Sequence, residues 1–183
     1  MIEKPYRLER ETRETSIVVR LGAAQAPDAI ATSDRFLDHM LAVLARYSGV
    51  PIAVAASGDL PHHLIEDVAI ALGAALRDAA LAARARYGHT VVPMDDALVE
   101  VALDAGDRPY YAGRLPSSLY THFFRSLALE AKWTLHVRVL RGRDRHHIVE
   151  ATFKALGMAL RQALEPADAV VSTKGEIRLE GSC

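Results

Sequence analysis

Six of the chain's eight histidines fall into two sets of the same form. HHLIED runs from His62 to Asp67 and HHIVEA from His146 to Ala151, and each is preceded by a lone histidine, His39 in FLDHML and His122 in YTHFF. Imidazole and carboxylate are donors for divalent transition metals, and on a helix residues three apart share a face. That spacing predicts His63 with Glu66, and His147 with Glu150, as pairs able to hold a cation. His62 and His146 then point about a hundred degrees away, toward a second ion or another copy. Together the sets offer six imidazoles and two carboxylates, enough for two sites with room for water or substrate. The donors suit Mn, Fe, Co, Ni or Zn without naming one. A closed structural zinc site would favour cysteines, and the only one is the terminal Cys183, so an open catalytic centre is expected. His89 and His136 have no counterpart in the other half and read as ordinary.

The positioning elements come from an internal duplication. His62–Ala79 aligned with His146–Ala163 is identical at ten of eighteen positions without a gap, and the matches include Gly73 with Gly157 and Arg77 with Arg161. Each half therefore reads as a lone histidine, a helix, a strand, and HHxxE opening a second helix. Periodicity predicts strands at 15–21 and 50–57 and helices at 36–47 and from Leu64 to about Ala83. In the second half it predicts strands DALVEVALDA and RPYYAGRL around an Ala-Gly-Asp turn, a helix at 120–131, a strand WTLHVRVL and a helix at 147–165. The helices are apolar nearly all round, which predicts burial between sheets.

Composition narrows the class. Half the residues are hydrophobic, a quarter are charged and the net charge is −1, which argues against nucleic acid as a partner. No apolar run reaches membrane-spanning length, and the charged MIEKPYRLERETRE is unlike a secretory signal. The expectation is a cytoplasmic protein with no membrane or nucleic-acid partner. Three features fit an anionic substrate: Arg86 in RARYGH, Arg108 in AGDRPYY, and STKGE, where Ser172 and Lys174 precede a glycine-relaxed backbone suited to phosphate oxygens.

The ordered run TRET, FLDHML, HHxxED, RYG, PMDDAL, RPY, HFFRSL, HHIVEATFKA and STKG resembles imidazoleglycerol-phosphate dehydratase of histidine biosynthesis, over roughly Arg7 to Glu176. The resemblance implies an α+β fold made of two ribosomal-S5-domain-2-like halves, with a helical bundle between two four-stranded sheets. The repeats would be about 7–88 and 89–176, followed by a short tail at 177–183. It also implies a homo-oligomer, trimers assembling into a 24-subunit particle, with two divalent manganese ions per site, between subunits. Carried over, His39, His62, His63, Glu66, His122, His146, His147 and Glu150 are the metal ligands. Glu14 is the acid/base, with Glu66 and Glu150 also at the catalytic centre, and Arg86, Arg108, Ser172 and Lys174 bind phosphate. The implied reaction is loss of water from imidazole glycerol phosphate to give imidazole acetol phosphate. The length leaves no room for the phosphatase domain fused to some members.

The first copy departs from the family pattern. Pro61 stands where an acid precedes the histidines, Leu64 replaces a threonine, Val43 a glutamine and Tyr47 a histidine. These changes leave open a divergent paralogue that keeps metal-stabilised assembly but has lost or altered the activity.

Overall fold

Strict alternation of buried and open residues builds the two sheets. Thr15–Leu21 and Ala97–Asp104 each turn every second side chain inward, as a strand with one face on a core must. The computed structural model describes residues 5–22, 30–78 and 85–166. Its first half runs β1 (Tyr6–Glu11), β2 (Thr15–Leu21), β3 (Ile30–Ala31), α1 (Arg35–Ser48), β4 (Ile52–Gly58) and α2 (Pro61–Asp78). The second half repeats that order as β5 (Tyr87–Met94), β6 (Ala97–Asp104), β7 (Tyr110–Ala112), α3 (Ser118–Glu130), β8 (Thr134–Arg141) and α4 (Arg145–Ala163). The sheets have the same topology, β1-β2-β4-β3 and β5-β6-β8-β7, each with one parallel pair at the edge. The fold is α+β, a helical bundle between two four-stranded sheets.

The helices start and stop where their termini can be satisfied. Asp34, Ser117 and Asp144 cap α1, α3 and α4 by accepting from N–H groups of the first turn. Gly49 ends α1 at φ 70°, a left-handed conformation that glycine adopts without a Cβ clash. Among the described residues, no helix is long and apolar enough to cross a membrane.

Packing in the bundle is crossed. The first helix of each repeat lies along the second helix of the other, α1 on α4 and α3 on α2. Within each pair the helices run in the same direction, because His39 meets Glu150 at one end and Arg46 meets Arg161 at the other. The repeated glycines sit at these contacts. A Cβ on Gly157 would lie 2.7 Å from Tyr47 Cβ and 3.0 Å from Ser48 N, and one on Gly73 would lie 2.7 Å from the Leu127 carbonyl oxygen. The repeated arginines also reach across: Arg77 donates to the Glu130 carbonyl (3.2 Å) and Arg161 to that of Arg46 (3.4 Å). Helix-terminal carbonyls without an intrahelical partner are satisfied in this way.

Several sequence expectations are corrected. α2 begins at Pro61 rather than Leu64, since proline's preset φ suits the first helical position and the Leu60 carbonyl already accepts from Leu64 N–H. RPYYAGRL contracts to the three-residue β7 and pairs in parallel with β8, not as the hairpin partner of DALVEVALDA. That partner is β5, whose inward face is Gly88, Thr90 and Val92, too weakly apolar to announce a strand. Pro93 is tolerated there because β5 is an edge. Residues 79–83, read as the end of the second helix, and the tail from 167 lie outside the described residues.

In an ordinary helix interior Gly→Ala gains about 1 kcal/mol. Here Gly157→Ala and Gly73→Ala are expected to lower stability by about 1–3 kcal/mol through overpacking, read as a reduced midpoint in urea unfolding.

Candidate metal centre

Two clusters of donors form at the N-terminal ends of the crossed helices. In one, His39 of α1 and His146 of α4 direct Nε2 at the same Glu150 oxygen, at 3.2 and 3.0 Å. In the other, His62 Nε2 lies 3.4 Å from one oxygen of Glu66, and His122 Nε2 of α3 lies 3.1 Å from the other. Within each cluster the three potential ligand atoms all lie within 4.8 Å of one another. Two imidazoles and a carboxylate so spaced fit a divalent transition ion and leave positions for further ligands. Each cluster mixes the halves, a lone histidine from one repeat meeting the HHxxE of the other.

The predicted pairs at a spacing of three do not form. Side chains near a helix start lean toward the N-terminus, so His62 stacks over Glu66 and His146 over Glu150, four residues apart. His63 and His147 are drawn off by other carboxylates. His63 Nδ1 lies 2.8 Å from Asp59, and His147 Nδ1 lies 2.8 Å from Asp96 on the β5–β6 turn. These bonds raise both imidazoles above their ordinary range. Asp96 falls to about 2, chiefly through His147 and then the N–H groups of Arg143 and Asp144. A carboxylate on Nδ1 fixes the ring of a histidine whose Nε2 is to serve as a ligand. Sequence reading missed Asp59 and Asp96; their signal was weak, an acid four residues before a histidine and a turn acid in PMDDAL.

Glu14 lies beside the first cluster, its carboxylate 3.6 Å from His63 Nδ1. The turn that carries it is pinned by a polar network. The Thr12 hydroxyl accepts from the N–H groups of Glu14 and Thr15, and the Glu14 carbonyl accepts from Asp59 N–H. Buried Asp67, next to Glu66, accepts from the Thr15 hydroxyl (2.5 Å) and from Arg10 (2.8 Å). The second repeat has Ala151 in its place, and its β5–β6 turn is tied to the start of α4 through Asp96 instead. At Glu150, burial pushes the carboxyl up, but hydrogen bonds from Lys154, His39 and His146 hold it below the usual carboxylate range.

The family profile described as imidazoleglycerol-phosphate dehydratase matches residues 32–160. The dehydratase of Pyrobaculum calidifontis is 47% identical over 189 residues, covering 92% of this chain and 98% of its own length. That of Desulfitobacterium hafniense is 43% identical, covering 92% of this chain and 95% of its own length. This chain belongs to the imidazoleglycerol-phosphate dehydratase family. Among solved structures, the Pyrococcus furiosus family member in complex with (S)-C348 superposes with a TM-score of 0.84 at 42% identity, covering 93% of this chain and 100% of that one. The Staphylococcus aureus dehydratase gives 0.80 at 32% identity, covering 90% and 100%.

The departures from the dehydratase pattern are absorbed by packing. Leu64 and Val43 are core residues, Pro61 opens α2, and Tyr47 packs on Gly157. The residues expected to bind phosphate stand apart from the clusters. Arg86 forms a two-pronged bond to Asp104 (2.6 and 2.9 Å), and its N–H donates to the carbonyl of Ala163 at the far end of α4. From His146 to Ala163 that helix spans about 25 Å. Exposed Arg108 follows the Gly106 turn that lies against Arg86, so the two arginines share that distant end. Ser172 and Lys174 lie outside the described residues.

Two outcomes are expected. His39→Ala and Glu150→Ala should each lose the same bound ion, while His39→Ala leaves the ion at His62, Glu66 and His122; equilibrium dialysis with metal analysis reads both. Asp67→Ala strands the Arg10 charge and the Thr15 hydroxyl, and should cost about 2 kcal/mol in urea unfolding.

Proposed function

We propose that this chain is a metal-dependent hydro-lyase that dehydrates imidazole glycerol phosphate to imidazole acetol phosphate in histidine biosynthesis, in the cytoplasm. One observation carries the reading: two His₂Glu clusters, each built from both repeats, in a chain of this family. When bound, divalent cations, manganese in this reading, would stabilise negative charge on the imidazole ring, whose electrons expel the hydroxyl from the adjacent side-chain carbon. The ligands are His39, His146 and Glu150 at one centre and His62, His122 and Glu66 at the other. His63 and His147 are left to complete centres on neighbouring subunits. The distance of Arg86 and Arg108 from the clusters supports the same arrangement, because one chain cannot bring both ends of its helices to one small substrate. The assembly is a homo-oligomer, trimers forming a 24-subunit particle, each chain one domain of two repeats, with Arg86, Arg108, Ser172 and Lys174 holding phosphate.

The chain's own part in the chemistry is proton handling. Glu14, fixed by the Thr12 turn and close to His63, removes the proton from the side-chain carbon next to the one bearing the leaving hydroxyl. The hydroxyl departs as water after gaining a proton, and the resulting enol tautomerises to the ketone. The alternative is a paralogue that keeps assembly without turnover. Core placement of Leu64 and Val43, together with Glu14 held beside the first donor set, favours the enzyme.

Purified protein supplied with Mn²⁺ is expected to form imidazole acetol phosphate from imidazole glycerol phosphate, and chelation should abolish turnover. Glu14→Gln should cut kcat by a factor of about 10² or more while Mn²⁺ stoichiometry and oligomer size stay unchanged. Wild-type protein that binds Mn²⁺ and assembles yet yields no product would favour the paralogue.

A further inference from the structure

The duplication makes two clusters from one plan, but it does not make them alike. Four residues after each ligand carboxylate, on the same helix face, the first repeat has Ile70 and the second has Lys154. Lys154 Nζ sits 3.0 Å from Glu150 Oε1. Its ammonium is largely buried, held also by Met94 Sδ at 3.4 Å and above the Tyr47 ring at 5.9 Å. One oxygen of Glu150 is therefore committed to a fixed positive charge, and both histidines of that cluster crowd onto the other oxygen. At the first cluster each Glu66 oxygen faces its own histidine, and among the described residues no ammonium touches the carboxylate.

The surrounding charges do not restore equality. Arg125 lines the cavity beside Glu66 and His122, but it is exposed and forms no ion pair among the described residues. Asp67 next to Glu66 is offset by Arg10. His63 and His147 have similar surroundings, each with two carboxylates nearby. What remains is one buried cation against Glu150. Two like charges a few ångströms apart in a half-buried site repel far more strongly than in water.

Resting on the reading of both clusters as metal sites, we propose that Lys154 makes them unequal. The cluster of His62, Glu66 and His122 takes its divalent cation first and more tightly, and the cluster of His39, His146 and Glu150 is the exchangeable one. Lys154 is a positioning residue here: it holds one Glu150 oxygen in place without an ion, and it weakens the hold on an ion that arrives.

Equilibrium dialysis of metal-free protein against Mn²⁺, with metal analysis, tests this whatever the state of assembly. Two classes of bound ion are expected, with Kd values at least tenfold apart, and His39→Ala should remove the weaker one. Lys154→Met should tighten the weaker class at least tenfold and leave the stronger unmoved. Ile70→Lys should weaken the stronger class by a similar factor. The repeat already places an apolar side chain at this helix position, so methionine suits Lys154's surroundings, and Ile70→Lys reads the same charge from the opposite side. One class in the wild type, loss of the stronger class in His39→Ala, or an unmoved weaker class in Lys154→Met overturns the proposal. No Mn²⁺ binding by the wild type overturns the metal reading itself.

Discussion

Close parallel contact between helices of different repeats is the constraint on which the rest of the molecule depends. α1 can lie along α4, and α3 along α2, only because Gly157 and Gly73 present no side chain at the contact. Each pair is held at its other end by an arginine that satisfies the partner helix's terminal carbonyls. With direction and spacing set there, the histidine near the start of one helix must arrive beside the HHxxE at the start of the other. The two sheets enclose this bundle, and their inward residues join the helices in one continuous apolar core.

Donors carried on packed helices are more rigid than donors carried on loops, and the polar groups around them add to that order. Asp59 and Asp96 orient the outer histidines, while Asp67 links the helix bearing Glu66 to the turn bearing Glu14. The same neighbours break the symmetry of the duplication. Asp67 corresponds to Ala151 in the other repeat, and Ile70 to Lys154, so two copies of one motif hold different charge environments. Arg86 and Arg108 lie at the opposite end of the bundle from the clusters, which makes a single chain an incomplete catalytic unit in the proposed reading.

Much of this was legible in the sequence because it depends on residue type and local periodicity. The duplication, the four helices, the strands with strong alternation and the donor list all appear there. Weakly apolar edge strands did not: β1 is rich in charge, and β5 turns glycine and threonine inward. Expecting a hairpin from two adjacent strands failed because β7 pairs through a parallel contact with a distant segment.

The sequence by itself determined which donors exist, that they come in two copies, and that Gly73, Gly157, Arg77 and Arg161 recur with them. Only the tertiary structure decided which donor meets which. His39 belongs with His146 and Glu150, and His122 with His62 and Glu66, because helices from opposite halves pack together. The donor in each pair of adjacent histidines was likewise decided by side-chain lean at the helix start and by the competing pull of Asp59 and Asp96. Residue type is a local property, whereas a shared ion needs contacts between segments far apart in the chain.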